Sequence, residues 1–222
     1  MDIIFTWKDN TVGSLNQVQY SILIGSLLGD GSLRKATGKL NALFEVNHSI
    51  KQKEYVDWKY EQLKMFVLTK PKSRILDKTR TAYRFTTRSL PQFTELYNLF
   101  YINKRKIIPS NLSLDSLALA VWFMDDGSKS RNSYYLNTQQ FNIDDQRKLI
   151  EMLKLQFGLN CNLNKDKKYF RIRINTESSK KFKKIIKPFI ISSMLYKLDD
   201  DPVTTDPKGE IRNLRITRRL LL

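Results

Sequence analysis

Apolar and polar residues follow the same order of patterns in the two halves of this chain. In the first half, a nearly uninterrupted apolar run that ends near Gly29 predicts a buried helix, with Ser14 or Asn16 as its N-cap. The elements that follow are predicted as strands at 32–35 and 43–47, an amphipathic helix at 52–67, strands at 73–76 and 83–87, and a helix at 90–101.

The second half repeats this order after a linker at 104–111. Its predicted elements are a buried helix at 114–124, a hairpin at 128–139 that turns at 131–133, an amphipathic helix at 143–157, a hairpin at 162–175 that turns at 165–167, and a helix at 178–189. The pattern predicts an α+β fold with two similar halves, residues 1–105 and 106–198. The tail, 199–222, is acidic and then basic, and is expected to be disordered, an accessory segment, or partly of cloning origin.

A short motif occurs at the end of both apolar helices. Residues 22–32 read I-L-I-G-S-L-L-G-D-G-S, and residues 118–128 read A-L-A-V-W-F-M-D-D-G-S. Each run ends in Asp-Gly-Ser, with Asp30 and Asp126 in matching positions. One such Asp-Gly is most simply a turn after a helix, whereas two in matched positions favour a pair of helices that bring two carboxylates together.

Two carboxylates at paired helix ends predict a divalent-metal site. Helix C-termini carry partial negative charge and free carbonyl groups, so an aspartate there is unfavourable without a cation nearby. Asp30 and Asp126 are the predicted carboxylate ligands, and Gly29 and Asp125 are predicted to contribute backbone carbonyls. An all-oxygen ligand set suits Mg²⁺ rather than Zn²⁺.

The spacing of Gly25 and Gly29 on the first helix indicates close helix packing. Small residues four apart lie on one face of a helix and let a neighbouring backbone approach. The alternative is that both are incidental small core residues.

The charge of the chain indicates a polyanionic partner. There are 39 basic and 22 acidic residues, which gives a net charge of +17, and the basic residues are spread along the whole chain. This distribution favours a broad nucleic-acid-binding surface over a membrane-targeting cluster. Cys161 is the only cysteine, which excludes an internal disulfide and a cysteine-rich zinc site. No apolar run is long enough to span a bilayer and no secretory signal is recognisable, so an intracellular protein is expected.

The two motifs resemble the signature helices of the LAGLIDADG homing endonucleases. The agreement is best at Gly25, Asp30 and Gly31 in the first copy. In the second copy it is best at Leu119, Ala120, Asp126 and Gly127. Leu28 and Met124 stand where the family has an acidic sixth residue. The resemblance covers roughly residues 15–198 and is nearest to the monomeric, intron-encoded mitochondrial members.

The resemblance implies a fold of two pseudo-symmetric αββαββα halves. Their signature helices form a central two-helix interface, and two saddle-shaped antiparallel sheets lie across double-stranded DNA. The implied activity is a Mg²⁺-dependent staggered cut, with Mn²⁺ as a substitute, in a target of about two duplex turns, roughly 20 base pairs. Intron homing, a monomer and a mitochondrial location follow from the same resemblance.

The resemblance also implies catalytic residues beyond the two aspartates. Lys106 and Lys197 match basic residues that approach the scissile phosphates, and His48 and Gln139 match polar strand residues that order water. Basic residues on the predicted sheets and turns are expected to contact DNA. They are Arg34, Lys35, Lys39, Lys72, Arg74, Lys78, Arg80, Arg84, Arg88, Lys129, Arg131, Lys165, Lys167, Lys168, Arg171 and Arg173.

Two other functions share this fold. An RNA maturase would bind its host intron RNA and assist splicing without metal chemistry, and a DNA-binding regulator would bind without cutting. The presence of both motif aspartates favours the nuclease over either alternative.

Overall fold

The computed structural model describes residues 15–198, and its elements follow one αββαββα order twice. The first half contains α1 (Gln17–Leu28), β1 (Ser32–Arg34), β2 (Leu43–Ser49), α2 (Lys53–Leu63), β3 (Lys72–Ile75), β4 (Thr81–Thr86) and α3 (Pro91–Phe100). A short hairpin, β5 (Tyr101–Ile102) and β6 (Arg105–Lys106), leads into the second half. The second half contains α4 (Ser116–Asp126), β7 (Gly127–Ser130), β8 (Ser133–Leu136), α5 (Ile143–Phe157), β9 (Cys161–Asp166), β10 (Tyr169–Ile174) and α6 (Thr176–Ile186).

The predicted element order and the α+β class are confirmed, with local differences at element ends. The predicted helix at 52–67 is α2 with a 3₁₀ turn at each side, Ile50–Gln52 and Lys64–Phe66. The predicted linker contains β6, and the proposed boundary after residue 105 falls inside that strand. A further 3₁₀ helix, Ser192–Lys197, follows α6 and was not predicted from the sequence. The tail 199–222 lies outside the described residues.

Each half contains one four-stranded antiparallel sheet. The strand orders are β1-β2-β4-β3 and β7-β8-β10-β9, which are the same arrangement in the two halves. Strand residues alternate between faces, so one face of each sheet packs on helices while the other is polar. In the first sheet the packed face includes Phe44 and Val46, and in the second it includes Ile172 and Ile174.

Helices α1 and α4 pack against each other at the centre of the core. A Cβ atom added to Gly25 would lie 2.4 Å from the carbonyl oxygen of Ala118, and one added to Gly29 would lie 2.4 Å from the Cβ atom of Asp125. The predicted role of Gly25 and Gly29 in close helix approach is therefore confirmed. Large side chains on α4, including Trp122, fill the remaining space and are fully buried.

Hydrogen bonds also join the N-terminal ends of α1 and α4. Asp115 caps α4 by accepting a hydrogen bond from the amide of Ala118 at 2.8 Å. Its second carboxylate oxygen accepts hydrogen bonds from Ser21 Oγ at 2.5 Å and Gln17 Nε2 at 3.1 Å on α1. Because both helices start and end side by side, Asp126 at the end of α4 and Asp30 just after α1 lie at the same end of the pair.

No helix within residues 15–198 is long and apolar enough to cross a membrane.

Candidate active site and nucleic-acid interface

Asp30 and Asp126 lie at the adjoining C-terminal ends of the two central helices. Burial raises the pKa of Asp126 to about 7, with smaller contributions from the neighbouring negative charges of Asp30 and Asp125. Burial and then Asp125 also raise the pKa of Asp30. The Asp30 side chain is nevertheless 45% exposed, and the negative charges of the two carboxylates oppose each other. A cation placed between them would relieve this repulsion.

Two half-buried lysines lie on either side of the carboxylates. Lys106 on β6 donates hydrogen bonds from Nζ to the carbonyl oxygens of Gly29 at 3.3 Å and Gly31 at 2.8 Å. Lys197, at the end of the unpredicted 3₁₀ helix, donates to the carbonyls of Met124 at 2.5 Å and Asp125 at 2.9 Å. Each ammonium thus stabilises the negative end of one central helix.

Burial lowers the pKa values of both lysines. The pKa of Lys106 falls to about 8, and the surrounding aspartates oppose this change. The pKa of Lys197 is lowered for the same reason. The carbonyls of Gly29 and Asp125, predicted as metal ligands, both accept hydrogen bonds from these lysines.

His48 lies beside Asp30 on the packed face of β2. Its Nδ1 is 3.5 Å from Asp30 Oδ2, and its Nε2 is 3.6 Å from Asp125 Oδ1. Only 2% of the His48 side chain is exposed. Burial, followed by the positive charge of Lys59, lowers the pKa of His48 to about 4. A neutral imidazole therefore lies between two carboxylates at neutral pH.

Gln139 does not occupy the position in the second sheet that is equivalent to the position of His48 in the first sheet. Ser32 pairs with Glu45 and Ser128 pairs with Tyr135, so the strand position equivalent to His48 is Thr138. A shift of one residue moves a side chain to the other face of a strand.

Gln139 accordingly faces away from the helix ends, and Gln140 reaches them instead. Gln139 donates from Nε2 to Asp166 Oδ2 at 2.8 Å. The next residue, Gln140, donates from Nε2 to the carbonyls of Leu28 at 3.2 Å and Gly29 at 3.3 Å. Sequence reasoning missed Gln140 because the strand register is a tertiary property.

The structure adds Lys59 to the site. Lys59 Nζ lies 2.7 Å from Asp125 Oδ1, and both side chains are fully buried. The ammonium also lies 4.5 Å from the centre of the Tyr55 ring. One sequence feature could have indicated its burial: Lys59 lies four residues from both Tyr55 and Leu63, on the apolar face of α2.

The oxygen atoms at the helix ends suit a hard divalent cation. Within the described part of the chain, no group of three or more His, Cys, Asp and Glu side chains is arranged to hold a metal ion. Asp30 and Asp126 therefore provide two carboxylates and would need further oxygen ligands from water or a phosphate. This composition fits Mg²⁺ and does not fit a structural zinc site.

The polar faces of the two sheets form the candidate nucleic-acid interface. On the first sheet, Asn47, Arg84 and Lys72 pair across adjacent strands, as do Ser49, Ala82 and Arg74. On the second sheet, Asn137 neighbours Arg171, and Tyr135 neighbours Arg173. Arg34 and Arg84 both contact Glu45, which limits their freedom before any ligand binds.

Exposed basic residues extend this interface at the ends of the strands. They lie in the connections between paired strands and are Lys35, Lys39, Lys78, Arg80, Arg131, Lys167 and Lys168. Arg80 forms an ion pair with Asp77, 2.7 Å from Nε to Oδ2. Arg131 and Lys167 adopt positive φ angles, which places both within tight turns.

Three of the predicted DNA-binding residues lie on the other side of the sheets. Arg88 follows the end of β4 and donates from Nη2 to the carbonyl of Met65 at 3.0 Å. Lys129 pairs in register with Tyr134 and donates to the carbonyl of Leu198 at 3.3 Å. Lys165 pairs with Phe170 and so alternates away from Arg171. Strand alternation assigns Lys129 and Lys165 to the helix-packed side, and the hydrogen bond to Met65 places Arg88 beside the end of α2. Their predicted contact with DNA stays a prediction.

Residues 20–182 match the profile of the LAGLIDADG DNA endonuclease family. This chain belongs to that family. It is 32% identical over 200 residues to probable intron-encoded endonuclease 1 of Wickerhamomyces canadensis, covering 83% of this chain and 85% of the relative. It is 29% identical over 195 residues to cytochrome b mRNA maturase bI2 of Debaryomyces hansenii, covering 83% and 74%.

A solved structure of a homing endonuclease has the same fold. The homing endonuclease I-WcaI, bound to its DNA recognition sequence, matches with a TM-score of 0.80 and 27% identity. The match covers 86% of this chain and 90% of I-WcaI. The recognition of the family from its two motifs is therefore confirmed.

Proposed function

We propose that this LAGLIDADG protein is a site-specific DNA endonuclease that makes a staggered double-strand break and so promotes homing of its host intron. One observation carries the proposal: Asp30 and Asp126 converge at the ends of two helices that separate two sheets with basic, polar faces. Family membership and the likeness to DNA-bound I-WcaI support it. The sheet side chains would contact base edges and phosphates in the major groove.

The proposed reaction is hydrolysis of one phosphodiester bond in each strand. A water oxygen attacks phosphorus, the bond to the 3′ oxygen breaks, and a 5′ phosphate and a 3′ hydroxyl result. Asp30 and Asp126 would hold Mg²⁺, or Mn²⁺ as a substitute, which when bound lowers the pKa of the attacking water and stabilises the leaving oxygen. Lys106 and Lys197 would place positive charge beside the two scissile phosphates.

The remaining residues of the site are proposed to orient these groups. His48 has almost no contact with solvent, so it would orient Asp30 rather than bulk water. Gln140 would take the position near the helix ends that was expected for Gln139.

Cleavage mapping would test the proposal. The protein is incubated with a library of candidate host exon-junction duplexes in Mg²⁺ or in EDTA, and the DNA ends are sequenced. We expect discrete cuts in both strands in Mg²⁺ only, lost in Asp30→Asn and in Asp126→Asn. Asp144→Asn is the matched control because Asp144 is exposed on α5, where it pairs with Arg147. Binding without any cutting in Mg²⁺ or Mn²⁺ would refute the nuclease proposal.

A maturase role is the second candidate, supported by the similarity to cytochrome b mRNA maturase bI2. Helix α6 buries Phe182 and Ile186 against the core and exposes a row of lysines. They are Lys180, Lys181 and Lys184, and the exposed Lys187 follows directly after the helix. This row lies on the helix side of the second sheet, away from Arg171 and Arg173, and would leave the polar face free for DNA. Splicing of a precursor RNA that contains the host intron, with and without the protein, would test this role.

We also propose that the protein acts as a monomer in the mitochondrion. Both αββαββα halves are on one chain, so the pair of carboxylates needs no second copy. Similarity to cytochrome b mRNA maturases supports the organelle. Light scattering of the DNA complex and imaging of a tagged protein would test these two points.

A further inference from the structure

The buried pair of Lys59 and Asp125 breaks the symmetry between the two halves. Lys59 is the seventh residue of α2, and the seventh residue of α5 is Leu149, which is also fully buried. Asp125 precedes Asp126 as Gly29 precedes Asp30. The equivalent pair in the other half would therefore be leucine and glycine, with no charge.

Stability alone does not account for this charged pair. Burial removes both ions from water, and a well-packed apolar pair of similar volume is often at least as stable. At the equivalent position in the second half, the chain has the apolar residue Leu149. Lys59 and Asp125 are nevertheless both fully buried, with 2.7 Å between Nζ and Oδ1. The presence of this charged pair therefore needs an explanation other than stability.

The pair is the start of a polar chain that ends at one catalytic candidate only. Asp125 Oδ1 is 3.6 Å from His48 Nε2, and His48 Nδ1 is 3.5 Å from Asp30 Oδ2. In the other half, Thr138 replaces His48 and donates from Oγ1 to Gln146 Oε1 at 2.9 Å. The polar chain therefore leads to Asp30, and Asp126 has no matching chain among the described residues.

We propose that Lys59 and Asp125 are positioning residues that hold His48 against Asp30 and thereby make the two strand-cutting centres unequal. Lys59 fixes the Asp125 carboxylate, and this carboxylate favours the tautomer of the neutral imidazole with its single N–H on Nε2, which leaves the Nδ1 lone pair facing Asp30. The centre that contains Asp30 depends on this arrangement, whereas the centre that contains Asp126 does not. The effect on cleavage rests on the proposed nuclease function, but the effect on His48 does not.

The first test uses the fact that His48 is the only histidine of the chain. Long-range ¹H–¹⁵N NMR spectra at a fixed neutral pH report the tautomer and environment of this one imidazole. Lys59→Met combined with Asp125→Asn removes both charges at once and so avoids leaving one buried ion unpaired. We expect the double variant to fold and to lose the wild-type tautomer preference of His48, and Leu149→Met to keep it. Unchanged His48 signals in the double variant would overturn the proposal, whether or not the protein cuts DNA.

The second test measures the cutting of each strand separately. A target duplex carries a different fluorophore on each strand, and single-turnover rates are compared. Loss of a supporting contact commonly changes activity about 10–100-fold, so we expect the double variant to slow one strand by at least about tenfold relative to the other. Leu149→Met should keep the wild-type ratio. Equal slowing of both strands would mean that the pair has only a structural role. Absence of cutting by the wild-type protein would instead contradict the nuclease proposal. The NMR result alone would then decide whether Lys59 and Asp125 position His48.

Discussion

At the scale of single residues, the site consists of charges that oppose one another until a ligand arrives. Desolvation raises the pKa values of Asp30 and Asp126, although 45% of the Asp30 side chain is exposed, and it lowers the pKa values of the lysines beside them. The ammonium groups interact with the carbonyl oxygens at the helix ends. A divalent cation would reduce the repulsion between the carboxylates, and a phosphate would interact favourably with the lysines.

Asp126 should make the stability of the metal-free protein depend on pH. The folded protein binds this proton more tightly than the unfolded chain, so the contribution of Asp126 to stability falls as the pH rises from about 4 to about 7. We expect Asp126→Asn to leave the Tm unchanged at pH 4 but to raise it at pH 8 in EDTA by roughly 2–4 °C, or about 1 kcal/mol. Thermal unfolding at both pH values checks this. An equal Tm difference at the two pH values would contradict it.

Lys106 should matter for cutting more than for binding. Its ammonium lies at the helix end beside Asp30, where a scissile phosphate would gain charge during the reaction. We expect Lys106→Gln to slow cleavage by roughly 10²–10³-fold, the range found when one charge-stabilising donor is removed. Kd for the target, measured in Ca²⁺, should change only slightly. Lys154→Gln, at an exposed position on α5, serves as the control, and a similar loss in that variant would refute the assignment.

At the scale of elements, two rules of packing decide where the functional residues lie. The first is the close approach of α1 to α4, which brings Asp30 and Asp126 together at one end of the pair. The second is the alternation of strand residues, which separates the polar face of each sheet from the packed face. Both rules lead to direct tests.

Gly25→Ala should destabilise the helix pair. Its added methyl group would lie 2.4 Å from the carbonyl oxygen of Ala118 and 2.7 Å from Val121 Cβ, so the helices must move apart. We expect a loss of about 1–3 kcal/mol in the free energy of unfolding, as for other overpacked cores. Urea unfolding measures it. Val18→Ala on the exposed side of α1 should change stability by less than about 0.5 kcal/mol. Equal effects at the two positions would argue against the tight interface.

Two exposed lysines on opposite faces give a matched comparison for DNA binding. Lys72 pairs with Arg84 on the polar face of the first sheet, whereas Lys165 pairs with Phe170 and alternates onto the other side of the second sheet. We expect Lys72→Gln to weaken binding and to reduce the salt slope by about 1, as for one lost phosphate contact. Lys165→Gln should leave affinity and slope unchanged. Fluorescence anisotropy over a range of salt concentrations makes the measurement, and the reverse result would place the interface elsewhere.

At the scale of the whole molecule, the chain carries a net charge of +17 and consists of two similar halves. Each half supplies one polar sheet face, and the paired helix ends lie between them. Long-range attraction would bring DNA to this surface, while strand side chains would select the sequence. The asymmetric Lys59–Asp125 pair shows that the halves are not equivalent in the core.

Binding to DNA should therefore depend steeply on salt. If about eight phosphates are neutralised, the logarithm of the affinity falls with the logarithm of the salt concentration at a slope of about −7. Titrations of a specific target and of an unrelated duplex would measure both slopes. A slope between zero and about −2 would be incompatible with a broad basic interface.

The sequence determined the features that depend on local pattern and on repetition. Hydrophobic periodicity predicted the order of helices and strands, because burial imposes a period of about 3.6 on helices and of 2 on strands. Repetition predicted two similar halves, and the Asp-Gly ends predicted that Asp30 and Asp126 lie together. Asn142 and Gly158 cap α5, and such caps are local features because each depends on a few neighbouring residues.

The tertiary structure decided which residues meet across the fold. Gln140 rather than Gln139 reaches the helix ends because strand register, not sequence spacing, sets the face of a residue. Lys197 reaches Asp125 through a 3₁₀ helix that has no strong sequence pattern. The contact between Lys59 and Asp125 joins residues far apart in the chain, and it forms only because α1 and α4 pack closely and α2 lies against them. Such contacts arise from the packing of whole elements, which local patterns do not encode.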